Sequence, residues 1–222
     1  MIKKPFVVAL EGGECCGKTT LAKYLKQNIE SLGYSVFLAH EPGSTPIGEE
    51  IRSILLNPQL TMCDTTEALL FAAARSEFVN MIKHLEDYDV VITDRCLSSS
   101  VVYQGLVRDL DPNKILAIND FAIKKWRPNL EVFLIPNLEV AAQRLKNKQH
   151  DRMENEPWSF HQKVYLGFDE YSTQRLKEVK GDTQHYCMKI VGKEDDANFP
   201  QQYYSIILAT INVLISTDLE LE

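Results

Sequence analysis

Residues 11–20 of the chain read EGGECCGKTT. Gly12, Gly17, Lys18 and Thr19 satisfy the spacing G-x-x-x-x-G-K-[ST], which suits a loop that cradles phosphate. Glycines allow the tight turn, and backbone amides at a helix N-terminus face the anion. Lys18 would neutralise the β- and γ-phosphates, and the Thr19 hydroxyl would ligate Mg²⁺. Residues Gly12, Gly13, Glu14, Cys15, Cys16, Gly17, Lys18, Thr19 and Thr20 are thus the expected ATP-binding stretch. A glycine-rich turn that only caps a buried helix is the other reading of this spacing. Glu14 does not fit a plain phosphate cradle. A carboxylate about 4 Å from a phosphate charge costs roughly 4 kcal/mol at an effective dielectric of 20. The acid should therefore point away from the donor: it either faces a neutral hydroxyl of a second substrate or is a solvated loop acid, and the loop alone does not decide between the two.

The elements that must position this loop are legible as alternating runs. FVVALE is an apolar strand leading into the loop, and Lys18 to Leu32 is a helix with Leu21, Tyr24, Leu25 and Ile29 on one face. A second strand lies in GYSVFLAHEP, stopped by Pro42. Pro46 starts a helix over IGEEIRSILL, and Asp64 is the expected N-cap of a long helix through TTEALLFAAARSEFVNMIKHL. DVVITDR is the third strand, followed by helical patterns around SSSVVYQGL and PNKILAINDFAIKK. LEVFLI is the fourth strand, LEVAAQRLK its helix, and YCMKIV the fifth strand, between a helix from Pro157 and a final helix. Strands alternating with helices predict parallel pairing. The expectation is one P-loop domain over 1–222, a three-layer α/β sandwich. Its five-stranded doubly wound parallel sheet is flanked by helices, and a mobile lid lies near 147–156. Ligands should bind outside the carboxyl ends of the strands.

Composition narrows the function. The chain has 222 residues, with 24 basic and 31 acidic side chains. This acidic balance speaks against a nucleic-acid or anionic-membrane partner, since both require a basic footprint. Its five cysteines include no CxxC pair, so they read as reduced thiols in a cytoplasm. The apolar stretch YYSIILATINVLIS is shorter than a bilayer span and reads as a buried amphipathic helix.

Three further segments carry chemistry: EPGSTPIGEEIR at 41–52, LLFAAARSEFV at 69–79 and DRCLSSSVVYQG at 94–105. Together with the loop they closely resemble the thymidylate kinases, over most of the chain and more loosely in its last third. The resemblance implies transfer of the γ-phosphoryl of ATP to dTMP, with Mg²⁺ as cofactor, in a cytoplasmic homodimer. It also implies that Glu14 holds the acceptor's 3′-hydroxyl and that Arg95 clamps the acceptor phosphate, for which a guanidinium fork is well shaped. Asp94 would orient the hydrated Mg²⁺, and Phe71 would stack on thymine. Arg75, one turn on, would bond a thymine carbonyl. Ser100 and Gln104 would lie at the base, Tyr103 would crowd the sugar's 2′ position, and Arg52 is a further candidate for the phosphate.

By the same resemblance, KNKQHDRMENE is a basic lid whose Arg152, and after it Lys148, would supply positive charge to the transferring phosphoryl. A solvated charged loop is the alternative reading of that stretch. His40, Cys96, Ile135 and Phe168 depart from residues common in the family, which bears on acceptor contacts and selectivity. Two other functions share much of this pattern: a kinase of the same fold acting on UMP or dCMP, and a nucleotide-binding regulator without catalysis. Arg75 and Tyr103 speak against the first, and the set Lys18, Thr19, Asp94, Arg95 and Arg152 against the second.

Overall fold

In the computed structural model, which describes residues 4–146, 151–193 and 198–220, Phe6–Glu11 forms strand β1 at the centre of the sheet. All six of its residues are buried, as expected for a parallel strand covered on both faces. Their side chains still alternate. Val7 and Ala9 enter one core with Phe78, Phe133 and Phe168, while Phe6, Val8 and Leu10 enter the other with Leu21, Leu25 and Ile29.

The remaining strands are β2 (Val36–His40), β3 (Val90–Asp94), β4 (Leu130–Ile135) and β5 (Tyr186–Val191). They pair in the order β2-β3-β1-β4-β5, every pair parallel. The expected doubly wound α/β sheet is therefore present.

The helices are α1 (Lys18–Ser31), α2 (Pro46–Leu56), α3 (Asp64–Ile82), α4 (Leu97–Ser100), α5 (Pro112–Ile123), α6 (Leu138–Lys146), α7 (Trp158–Glu178) and α8 (Tyr204–Glu220). Thr45 caps α2 by accepting from Gly48 N at 2.9 Å, with Pro46 at the first helical position. Asp64 is not the cap of α3: Cys63 occupies that position, and Asp64 and Glu67 supply negative charge to the first turn instead. In α8, Ile207, Ile211 and Ile215 recur one turn apart and close the core beside α1. Among the described residues no helix is long and apolar enough to cross a membrane.

One element departs from the sequence pattern. After the single turn of α4, Val101–Val107 winds as a π-helix. Its wider turn ends with Arg108 N donating to Tyr103 O at 2.9 Å, a five-residue reach. This segment carries Tyr103 and Gln104, both buried.

Candidate active site

The carboxyl ends of β1 and β3 lie side by side, with Leu10 paired to Asp94. A cleft of about 580 Å³ opens there. Its lining includes the loop's Glu14, Lys18, Thr19 and Thr20, together with Asp94 and Arg95. Gly17 caps α1 with φ 96°, a left-handed conformation that glycine adopts without strain. The Lys18 ammonium folds back over the loop, donating to Gly12 O at 3.1 Å and Gly13 O at 2.7 Å. Thr19 Oγ1 donates to Asp94 Oδ2 at 2.6 Å. Lysine, helix N-terminus, hydroxyl and carboxylate thus converge as an anion cradle beside a hard oxygen donor pair.

Glu14 turns sideways out of this cradle and is buried. Its Oε1 accepts from the Tyr103 hydroxyl at 2.5 Å and from Arg95 Nη2 at 3.2 Å. Its Oε2 lies 3.4 Å from His161 Nδ1. Burial alone would raise the carboxyl's pKa. The His161, Arg95 and Tyr103 partners outweigh burial and hold it at about 2, so Glu14 is ionised. Burial raises Tyr103 well above its ordinary value, which keeps its hydroxyl a donor.

Arg95 has φ 74°, a conformation that costs a non-glycine residue of order 1 kcal/mol. It is held there by Arg95 N donating to Leu10 O at 2.9 Å and by Nη1 donating to Gly12 O at 2.9 Å and Ser99 Oγ at 3.2 Å. Ser99 Oγ in turn donates to Glu11 Oε2 at 2.6 Å, and Cys96 N donates to Glu11 Oε1 at 2.9 Å. Burial lifts the Glu11 carboxyl to about 7 against the Ser99 hydrogen bond. Strain at a cleft residue, held by so many partners, is the pattern expected of a preorganised functional group.

Phe71 and Arg75, one turn apart on α3, also line the cleft, with Ser100 and Gln104. Arg75 is almost wholly buried. It donates to Ser100 Oγ at 2.9 Å, Asn119 Oδ1 at 2.6 Å and Cys96 O at 3.0 Å, and its Nε lies 2.7 Å from Glu41 Oε2. Gln104 donates to Glu67 Oε1 at 2.9 Å. Arg52 also lines the cleft and donates to Pro42 O at 2.8 Å. An aromatic face, hydroxyl and amide groups and an anchored guanidinium make a wall that can take a flat, polar-edged ring.

Arg152 pairs in this structure with groups outside the cleft lining. Its Nε donates to Leu55 O at 2.6 Å and its Nη2 to Glu67 Oε2 at 2.7 Å, so its charge is spent on a buried acid. The cation at the loop is Arg144 of α6, which lines the cleft and donates to Cys15 O at 3.3 Å and Phe199 O at 2.6 Å. Lys148, with the rest of 147–150 of the expected lid, lies outside the described residues.

The structure therefore brings Lys18, Thr19, Asp94, Arg95, Glu14 and Tyr103 into one cleft with Phe71, Arg75, Ser100, Gln104 and Arg52, and leaves Arg152 outside the lining. Of the departures, Cys96 is buried and offers its carbonyl to Arg75, while Phe168 packs edge-on against Tyr103 at 5.9 Å. Ile135 is buried, and exposed His40 pairs with Glu49 at 2.8 Å. Sequence reasoning missed Glu11, Glu67, Asn119 and His161. An acid closing an otherwise apolar strand was the one local sign of Glu11. The other three give no local sign, and neither does Arg144, which sequence reasoning also missed.

Comparison with known proteins adds kinship to this geometry. A family model described as Thymidylate kinase matches residues 10–188. A thymidylate kinase of Caldicellulosiruptor saccharolyticus is 38% identical over 202 residues, spanning 88% of this chain and 98% of its own. One from Lactobacillus acidophilus is 42% identical, over 74% of this chain and 80% of its own. One from Oceanobacillus iheyensis is 34% identical, over 89% and 96%.

Proposed function

We infer what this chain does from its kinship, for it belongs to the thymidylate kinase family: it is an enzyme that phosphorylates dTMP to dTDP, with ATP as phosphoryl donor. The observation that carries the reading to particular residues is the turn of Glu14 out of the phosphate loop to meet Arg95 and Tyr103. One carboxylate thereby links the loop that would hold the donor to the residues that would hold the acceptor.

Donor phosphates would sit on the loop amides at the start of α1, with Lys18 on the β- and γ-phosphates. Thr19 and Asp94 fit Mg²⁺, since both are oxygen donors and Mg²⁺ takes few protein ligands beside substrate phosphates. When bound, the ion would offset charge on the phosphate oxygens. Arg95 would clamp the acceptor phosphate, with Arg52 behind it. Glu14 would accept from the 3′-hydroxyl, Tyr103 would crowd the 2′ position, and Phe71, Arg75, Ser100 and Gln104 would receive the base. Transfer of this kind needs position and positive charge rather than a covalent intermediate. Lys18, Arg95 and Arg144 supply charge around the loop. We assign Arg152 to bracing the acceptor wall through Glu67, which also holds Gln104.

We further propose a homodimer in the cytoplasm. Four exposed apolar side chains, Leu69, Leu106, Phe121 and Leu166, lie on α3, the π-helical turn, α5 and α7, elements that pack against one another. A coupled ADP-release assay across nucleoside monophosphates tests the function. dTMP should be the preferred acceptor; preference for UMP or dCMP, or no release with any, would overturn the reading.

A further inference from the structure

Helix α7 grips Glu14 twice. Tyr165 OH donates to the Glu14 backbone carbonyl at 2.6 Å. One turn earlier, His161 places Nδ1 3.4 Å from Glu14 Oε2. The ring of His161 is fully buried. The loop admits this helix closely, because a side chain at Gly13 would strike the Tyr165 ring.

The two carboxylate oxygens are not equivalent. Oε1 already accepts from Tyr103 and Arg95, whereas Oε2 has no hydrogen bond at short range and only the His161 ring beside it. Oε2 is itself buried, and His161 is the group that stands next to it, so the ring sets the rotation of the carboxylate whose residue lines the cleft.

We propose that His161 is a positioning residue for the acceptor: its ring, set beside Oε2, fixes the direction in which the Glu14 carboxylate is presented to the acceptor's sugar hydroxyl. This rests on the reading of Glu14 as the 3′-hydroxyl acceptor.

The ring's surroundings define its charge. Glu14 lies on one side, and the backbone carbonyls of Glu154 and Glu156 lie near the ring as well. A neutral imidazole has one donor nitrogen, whereas the imidazolium has two and can face acceptors on both sides. Burial lowers the ring's pKa, but Glu14 and those carbonyls reverse this and leave it raised. Tyr165 donates its hydroxyl to the Glu14 backbone, and Lys18 and Arg95 act on the Glu14 carboxylate beside the ring. Trp158 and Phe160 pack on the ring and exclude water. As pH rises through the raised pKa, the ring loses a proton and its hold on Oε2 weakens.

The test has two arms. In the first, the His161 ring is titrated by NMR in the wild type and in Glu14→Gln. The wild-type pKa should stand above the ordinary histidine range and fall towards it in the variant; an unchanged value overturns the proposal. In the second, KM for dTMP and for 3′-deoxy-dTMP is measured against pH. His161→Leu should raise KM for dTMP about tenfold, the scale of one charge-assisted contact, with kcat changed far less. His161→Gln, which keeps a donor, should recover part of the loss. The wild-type rise of KM with pH should vanish in His161→Leu, and 3′-deoxy-dTMP should show neither effect. Equal impairment on both acceptors, or a pH profile that survives in His161→Leu, overturns this proposal alone. A wild-type protein that phosphorylates no dTMP overturns the functional reading and this proposal with it.

Discussion

Thr19 Oγ1 donates to Asp94 Oδ2 at 2.6 Å, which ties the first turn of α1 to the end of β3 across 75 positions of sequence. In the proposed reading both oxygens would face Mg²⁺. Asp94→Asn keeps the shape and removes the charge. It should raise the Mg²⁺ concentration needed for half-maximal turnover and lower kcat by roughly a hundredfold. A magnesium titration identical to that of the wild type would detach Asp94 from the metal.

Lys18 is held by two loop carbonyls and would exchange them for phosphate oxygens when the donor binds. Lys18→Ala should lower kcat by at least roughly a hundredfold while circular dichroism and the thermal midpoint stay near wild type. Normal turnover would remove the phosphate-loop reading.

Two arginines compete for the charge-stabilising role. Arg144→Ala should lower kcat more than Arg152→Ala, because Arg144 lines the cleft and Arg152 is committed to Glu67. Arg152→Ala should act chiefly on stability and acceptor KM, since it leaves Glu67 under-compensated. The reverse order of kcat effects would return the role to Arg152.

Tyr103 is buried and packs against Phe168 and Phe160. Tyr103→Ala therefore costs stability as well as contact, on the order of 3 kcal/mol for a large aromatic truncation. The ratio of kcat/KM for deoxyribosyl over ribosyl acceptors is independent of how much protein is folded. It should fall by roughly tenfold if the ring crowds the 2′ position. An unchanged ratio would place Tyr103 away from the sugar.

Two buried acids give opposite pH signatures. Glu14, held near 2, contributes stability above its ordinary pKa of about 4.5 and loses it as pH falls through that range towards 2. Glu11, raised by burial to about 7, binds its proton more tightly folded than unfolded. It therefore destabilises increasingly as pH climbs from about 4.5 to 7, by up to a few kcal/mol. Glu11→Gln should gain thermal midpoint relative to wild type as pH rises from 5 to 8. A difference that does not vary with pH would mean that Glu11 titrates normally.

What was legible in the sequence was local or periodic. The phosphate loop is eight consecutive residues, and apolar runs between helical patterns set the parallel sheet. For Glu14, Coulomb repulsion argued only against facing the donor phosphates; its partners Arg95 and Tyr103 lie more than eighty positions away. What could not be read depends on partners far apart in the chain: Arg152 meets Glu67 85 positions away, and Arg75 meets Asn119 44 positions away. The π-helix at 101–107 was also hidden, since SSSVVYQGL carries an ordinary helical pattern.

The compensation of Glu14 from β3, the π-helical turn and α7 has a consequence for portability. A phosphate loop is often treated as a cassette, whose spacing is enough to specify its work. Here the cassette and its host are matched charge for charge. Moved into another nucleotide-binding protein, this loop would carry an acid with no counterpart. Replaced by an acid-free loop, it would leave Arg95 without its carboxylate and the His161 ring without the acid beside it. Exchange between this chain and other phosphate-binding folds therefore requires several simultaneous changes on separate elements, and single loop swaps in either direction meet a barrier.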